Sequence, residues 1–467
     1  MTTRAAVIWL ALAALFALAA MITDRLGSGR AVGAPETVRL LGGALDEIGT
    51  ITIRSAGRRE LVLSADAGVW RLAEAGSAPW PIEPGRIPAL LRVMAGTTGV
   101  RAPSDAIGDD VTSIELRNRG GGVAAVLRIE SASLAGRSLV EVEEGSERRR
   151  LLIDDALRRA LAGAGPAGWR DKRVFPGLAP DPVVIRIAMP THTIELARVG
   201  NRWGMRSPIQ ARAESGSIAS VIRALQSMEA ARFIDSAAGD SGVFPEQPQV
   251  ALTIETSALD PGTGERSRSM WSLELGGAAP QGGSFIAKIG RAAIDGSGGR
   301  SAVHGPVIVE LPNDRLASVP AAVEAYLART LIDVPSSDIG GVVFFAGDSG
   351  EGGFVRAASG WMNTRSESGA DAPATERDRL GIESLVELAS SVVADKTTVL
   401  ESDDALPGGL PMRLIGLSGQ TIEECFVFLE RGGERAQLVI RSGRVARTYL
   451  IPEALASWIA QIPATGS

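Results

Sequence analysis

The chain has 467 residues, of which 45% are apolar, and a formal net charge of −6. A chain of this length can form several domains, each with its own core, and its composition is that of a globular protein. The acidic balance, without a basic stripe interleaved with aromatic residues, argues against a nucleic-acid-binding protein.

The first predicted element is a membrane-spanning helix. Residues 5–22 form an apolar run without charge, which is longer than the core of a cleavable signal peptide. A cleaved signal is the alternative, because small residues around Ala17 have suitable spacing. Arg4 and the free amino group favour a cytoplasmic N-terminus. We expect a cytoplasmic stub and inner-membrane anchor over 1–23, a linker over 24–36, and a periplasmic remainder.

One short pattern occurs three times in the exported region. A β-rich strand is followed by a second apolar strand, a turn that contains glycine, and a tryptophan. The three tryptophans are Trp70, Trp203 and Trp361. The pattern predicts a hairpin that leads into a large aromatic side chain. The alternative, in which the tryptophans are exposed platforms for stacking sugars, predicts exposed rings at these positions.

An amphipathic helix is predicted after each tryptophan. Apolar residues fall at offsets 0, 3, 4 and 7 in each copy, which is one face of a helix. The three faces are Ile87, Leu90, Leu91 and Met94; Ile218, Val221, Ile222 and Leu225; and Ile382, Leu385, Val386 and Ala389. Because the tryptophans recur beside these helices, we expect each ring to pack against its helix and bury about 150–250 Å².

A second half-unit follows each helix. A short apolar strand, an acidic residue and an amphipathic run recur at 148–161, 305–319 and 446–459. Alternating strands lie upstream of each, which predicts a meander of strands closed by a helix. The predicted fold class is therefore α+β, with three tandem units of mostly antiparallel strands and amphipathic helices. We expect these units at 37–175, 176–333 and 334–462, followed by a tail at 463–467.

No catalytic, cofactor-binding or metal-binding residues are predicted. AGDSG, at 238–242 and 346–350, resembles the nucleophile segment of trypsin-like serine proteases, but His192 and His304 lie outside any matching histidine motif. DGSGG at 295–299 lacks the alternating acidic ligands of a calcium loop, and we interpret it as a turn.

Two further features carry structural expectations. Cys425 is the single cysteine, so no disulfide framework is possible, and we expect a small buried residue. The densest charge cluster, EVEEGSERRR at 141–150, predicts a hairpin with opposite charges facing each other on a solvated surface. A docking site for a partner is the alternative for this cluster.

The chain resembles the domain of unknown function 4340 group of membrane-anchored bacterial proteins over most of residues 37–462. The resemblance is carried by the apolar N-terminus, the strand, hairpin, tryptophan, proline and helix order around Trp70 and Trp203, and the joint WRDKRVF. The third copy departs from the pattern, since no proline follows Trp361 closely. The resemblance implies an accessory role beside gliding-motility-type ABC transporter components.

The leading functional hypothesis is thus a non-enzymatic accessory or scaffold subunit of an envelope transport complex, which needs no cofactor. One alternative is an exported binding module for a polysaccharide or other envelope ligand. Another is a hydrolase that uses two converging carboxylates.

Overall fold

The computed structural model describes residues 36–462 with gaps. The residues left out within this range are 44, 58–59, 67, 75–76, 103–107, 109, 134, 162–165, 235–247, 260–265, 297, 346–350, 365–370, 402–408 and 432–434. The predicted anchor at 5–22 lies outside the described residues, and none of the described helices is both long and apolar enough to cross a membrane.

The chain forms two compact units, one ending at Asp171 and the other beginning at Lys172. The first contains one antiparallel sheet and the second contains two. The backbone N–H of Val174 donates to the carbonyl of Met228 at 2.9 Å, so residues just after Asp171 already belong to the second unit. The sequence predicts this boundary at residue 175.

The first unit contains ten strands and two helices. They are β1 (Thr37–Arg39), β2 (Ile48–Ser55), β3 (Leu61–Asp66), β4 (Val69–Glu74), β5 (Ser77–Pro81), α1 (Arg86–Gly96), β6 (Thr98–Arg101), β7 (Val111–Asn118), β8 (Val123–Glu130), β9 (Arg137–Glu144), β10 (Glu147–Asp154) and α2 (Ala156–Leu161). The strand order is β5-β4-β3-β2-β7-β8-β9-β10-β6-β1. Apolar side chains alternate along the strands and bury one face against α1, as the period of two requires.

The second sheet opens the second unit. Its elements are β11 (Pro182–Ala188), β12 (Thr193–Val199), β13 (Arg202–Ser207), β14 (Ala211–Arg212), α3 (Ser215–Gln226), β15 (Arg232–Ile234), β16 (Val250–Leu259), β17 (Arg266–Ala278), β18 (Ser284–Ile294), β19 (Arg300–Pro312) and α4 (Asn313–Leu316). The strand order is β14-β13-β12-β11-β16-β17-β18-β19-β15. The helix α4 has four residues, so the amphipathic helix expected at 305–319 is reduced to one turn.

The third sheet completes the second unit. Its elements are β20 (Ile339–Phe345), β21 (Glu351–Ala357), β22 (Gly360–Asn363), β23 (Ala372–Pro373), α5 (Glu376–Ser390), β24 (Lys396–Val399), β25 (Leu410–Gly416), β26 (Thr421–Arg431), β27 (Ala436–Ser442), β28 (Val445–Ile451) and α6 (Glu453–Ile459). The strand order is β23-β22-β21-β20-β25-β26-β27-β28-β24. Helices α5 and α6 share one apolar core with the inner face of this sheet.

The three sheets have the same topology. In each, a four-stranded meander leads into a helix, a short strand and a second four-stranded meander. The first strands of the two meanders pair at the centre, as β2 with β7, β11 with β16 and β20 with β25. The short strand pairs with the last strand of the second meander. The prediction of three units of antiparallel strands with helices is confirmed at this level, and β1 is an addition found in the first sheet.

The tryptophan of each copy holds the same backbone position. Its carbonyl accepts a hydrogen bond from the strand that enters the helix, and these bonds are Ile82 to Trp70 at 3.0 Å, Ala213 to Trp203 at 3.1 Å, and Ala374 to Trp361 at 2.9 Å. A glycine with positive φ precedes each tryptophan closely in the turn; for Gly68 and Gly200 the values are 82° and 65°. Glycine adopts this conformation without steric cost, which explains why the sequence repeats at these points.

Candidate interaction surfaces

The repeat positions differ in exposure. Trp361 is 6% exposed and belongs to the core of the third sheet. Trp70 is partly buried and packs against the core of the first sheet. Trp203 is partly buried and lines a surface groove. The predicted helix positions Leu90, Ile222 and Leu385 are all buried.

Trp361 is covered by the strand beside it. Arg356 lies directly opposite Trp361 on β21, and its guanidinium carbon is 4.9 Å from the centre of the indole ring. The same guanidinium donates to the carbonyl of Ser337 at 3.0 Å. These contacts hold Arg356 over the ring, so the face of Trp361 is closed to a ligand.

Trp203 lines an open groove with a volume of about 320 Å³, between the start of β11, the hairpin β12–β13 and helix α3. Asp181 and Arg198 form an ion pair at its edge, with Nη1 and Oδ1 3.0 Å apart. Ser215 and Ala219 line the helix side, and their small side chains leave room above the indole. We call this feature the Trp203 groove.

The outer face of the third sheet carries aromatic and aliphatic side chains. Phe426 is 38% exposed and Leu450 is 46% exposed, whereas their neighbours Val427 and Ile451 are buried against the helices. The members of this face are Phe345, Pro411, Phe426, Phe428, Val439 and Leu450, of which the other four are partly buried. We call this set the aromatic face.

Strand register brings the aromatic residues together. Pro411 lies between Phe345 and Phe426, because β25 pairs with β20 on one side and β26 on the other. The guanidinium of Arg413 lies 4.8 Å from the centre of the Phe345 ring and is paired with Glu424 at 2.8 Å. The face thus combines aromatic rings with an arginine that is paired to Glu424.

Cross-strand ion pairs occupy the corresponding face of the first sheet. Arg54 pairs with Glu115 at 3.4 Å, and Glu141 accepts hydrogen bonds from Arg128 and Arg150 at 2.8 and 2.9 Å. Opposite charges on neighbouring strands attract each other and stabilise the sheet.

The second sheet is built in the same way. Cross-strand ion pairs on its outer face include Arg186–Glu195 at 2.6 Å, Arg268–Glu255 at 2.7 Å and Lys288–Glu274 at 3.7 Å. The apolar character of the aromatic face therefore distinguishes the third copy from two copies of the same fold.

The charge cluster at 141–150 forms the predicted hairpin, with Arg148 opposite Glu143 and Arg150 opposite Glu141. Glu141, however, is buried at 3% exposure, so this part of the cluster is not the fully solvated surface we expected. Burial by itself raises the pKa of Glu141, but hydrogen bonds from Arg148, Arg150 and Arg128 outweigh it and lower the pKa to about 2. The cluster therefore links neighbouring strands through ion pairs centred on Glu141.

Three arginines donate hydrogen bonds in the segment between the second and third sheets or beside it; Arg447 is buried, Arg212 is partly buried and Arg329 is exposed. Arg212 Nη1 donates to the carbonyl of Leu331 at 2.7 Å, and Arg447 Nε donates to the carbonyl of Ala328 at 2.9 Å. Arg329 Nε donates to the carbonyl of Ala394 at 3.1 Å. Burial lowers the pKa of Arg212 and of Arg447, because desolvation disfavours the charged form. The segment at 326–333, which ends at the predicted boundary between the second and third units, is thus largely buried, with Arg329 and Asp333 exposed.

The candidate chemical motifs have structural explanations where they are described. His304 is buried, and its ring centre lies 5.8 Å from that of Trp271. His192 Nδ1 shares a hydrogen bond with Thr191 Oγ1 at 2.9 Å. In the 295–299 segment, Gly299 N donates to Asp295 Oδ1 at 2.7 Å, which fits the predicted turn. Both AGDSG segments, at 238–242 and 346–350, lie outside the described residues.

Cys425 is buried at 4% exposure, as predicted. Burial raises the pKa of its thiol, so the thiol stays protonated and unreactive at neutral pH. Cys425 points into the core from β26, with Phe426 next to it on the aromatic face.

Comparison with known proteins gave no relatives: no protein-family model, no curated protein and no solved structure matches the chain. The resemblance in the sequence therefore stays a prediction. Sequence patterns missed the aromatic face, although EECFVFLE contains its signal, because Phe426 and Phe428 alternate with buried residues.

Proposed function

We propose that this chain is a non-enzymatic, membrane-anchored scaffold of the bacterial cell envelope that holds a partner protein on the aromatic face. The observation that carries the proposal is the contrast among three sheets of one topology. Cross-strand ion pairs dominate the outer face in two of them, whereas in the third aromatic and aliphatic side chains lie beside the Arg413–Glu424 pair. An exposed apolar patch of this kind marks an interaction site.

The chemistry of the face favours a protein as the partner. Phenylalanine and arginine are enriched at the centres of protein interfaces, whereas unpaired charges are depleted there. The Phe345 ring with Arg413 above it, beside Phe426, has this composition, and Glu424 neutralises the arginine. A complementary partner surface would be apolar, without a dominant charge of either sign.

The partner we propose is a subunit of an ABC-type transport complex. The support is the resemblance to the domain of unknown function 4340 group together with the apolar run at 5–22, which would anchor the chain in the inner membrane with its three sheets in the periplasm. A repeated fold suits this role, because one copy can bind a partner while the others keep their ion-paired faces.

Co-purification tests this function. The full-length protein is crosslinked briefly in native membranes, extracted in mild detergent and analysed by mass spectrometry. Transporter subunits in a fixed ratio are expected with the wild-type chain, and Phe426→Glu should reduce their recovery at least about tenfold, because a carboxylate would be buried in the interface.

The matched control is Thr253→Glu, at a partly buried position opposite Arg186 on the ion-paired face of the second sheet. This variant should keep the wild-type ratio. Recovery of the protein without transporter subunits, while the crosslinking controls work, would reject the proposal.

A further inference from the structure

The Trp203 groove differs from the same place in the other two copies. Ala219, the residue after the first apolar position of α3, lines the groove. The equivalent residues by helix pattern are Pro88 on α1 and Glu383 on α5, and Glu383 forms an ion pair with Arg379 at 3.0 Å. A small residue at this position leaves space beside the indole in the second copy.

Trp203 itself supplies a flat apolar surface. It is partly exposed in the groove, whereas Trp361, at the same backbone position, lies under Arg356. An indole is apolar on its face and offers one N–H donor at its edge. A ligand with one flat apolar face and several polar edge groups fits such a ring.

Planar polar side chains line the same groove as the indole. Asp181 and Arg198 pair at 3.0 Å on one side, and Asn201 is exposed at the hairpin turn. The Nε of Arg198 is buried and has no hydrogen-bond partner in the described part of the chain. Carboxylate, guanidinium and amide groups together can both donate to and accept from adjacent hydroxyl groups.

From this combination we infer that the Trp203 groove is a binding site for a saccharide, whose pyranose ring lies on Trp203 and whose hydroxyls bond to Asp181, Arg198 and Asn201. Beta-linked glucose or N-acetylglucosamine units fit best, because their equatorial substituents leave the ring faces apolar. Arg223 borders the other side, where its guanidinium donates to Ser220 Oγ at 2.9 Å. This site is separate from the aromatic face, so it adds a ligand to the proposed scaffold function.

The test titrates the full-length protein in detergent with chitotetraose and cellotetraose and follows binding by isothermal calorimetry. At least one of the two should bind to the wild-type chain. Trp203→Leu should weaken binding about tenfold, as expected for the loss of one aromatic stacking contact. Ala219→Arg should weaken it at least as much, because it fills the groove and keeps the indole.

The matched control is Arg206→Gln, an exposed arginine on β13 that does not line the groove, and it should bind like the wild type. Thermal melts establish that each variant is folded. The inference is overturned if neither tetrasaccharide binds at about 10 mM, a concentration at which sites weaker than the millimolar range still fill partly. It is also overturned if folded Ala219→Arg binds as tightly as the wild type.

Discussion

Arg447 Nε donates a hydrogen bond to the carbonyl oxygen of Ala328, a residue 119 positions earlier in the sequence. Arg447 lies on the last strand of the third sheet and Ala328 in the segment that connects the second sheet to the third. The arginine is 3% exposed, so its charge is shielded from water and depends on this contact. The bond therefore links β28 of the third sheet to the segment that connects the second sheet to the third.

Arg447→Met should loosen the connecting segment, because methionine keeps part of the side-chain volume and removes the donor. We expect a loss of about 2 kcal/mol in stability, since the carbonyl of Ala328 is left without its charged partner. Hydrogen–deuterium exchange should become faster over residues 326–333. Arg206→Met, at an exposed position, should change exchange in this segment little. Unchanged exchange in Arg447→Met would contradict a structural role for the bond.

Glu141 predicts a pH dependence in the first sheet. Its pKa is lowered from 4.5 to about 2 in the folded chain, so ionised Glu141 stabilises the fold above pH 4.5. That contribution is lost as the pH falls from 4.5 through 2. Glu141→Gln should lower stability by about 1–2 kcal/mol at pH 7, less than the full shift because the arginines remain in contact with water.

The difference between Glu141→Gln and the wild type should shrink as the pH falls below about 4.5 in thermal melts. Glu143→Gln is the control, since the Glu143 side chain is 47% exposed and lies 4.0 Å from Arg128. A pH-independent difference for Glu141→Gln would show that the arginines do not stabilise the carboxylate.

At Gly381, replacement of a helix glycine by alanine should lower stability, although such a replacement ordinarily raises it. Gly381 lies inside α5, where alanine would ordinarily gain up to about 1 kcal/mol over glycine. A Cβ at Gly381, however, would overlap the indole of Trp458 on α6. Gly381→Ala should therefore cost about 1–3 kcal/mol through overpacking, measured as a lower thermal midpoint.

Gly96→Ala is the matched control, because Gly96 ends α1 and a Cβ there would meet nothing within 4 Å. This variant should be neutral or slightly more stable. If Gly381→Ala raised the thermal midpoint as well, the close packing of α5 on α6 would be refuted.

Local signals made the repeat predictable. A turn glycine such as Gly200, the tryptophan after it and the helix face containing Ile222 are all defined within a short stretch of sequence. The strand topology was beyond such patterns, because β2 pairs with β7, which is distant from it in sequence, and only long-range packing selects that partner. The same limit applied to the joints, whose burial depends on arginines distant in sequence, such as Arg447.

The two surfaces were only partly accessible from sequence. Alternation of Phe426 and Phe428 with buried residues indicates two faces of a strand, but the helices decide which face meets solvent. Ala219 lines the Trp203 groove, but its place beside the hairpin appears only once α3 is packed there. Sequence therefore predicted the tryptophan positions better than the exposure of each ring.

The central claim is that the aromatic face binds a transporter subunit, and site-specific photo-crosslinking tests it most directly. The photoreactive p-benzoyl-phenylalanine replaces Phe426 in one full-length variant and Thr253 in another, and irradiation is done in native membranes. We predict a crosslink to an ABC transporter subunit from position 426 and none from position 253. A protein that yields no such crosslink from 426, or equal crosslinks from both positions, would contradict the claim.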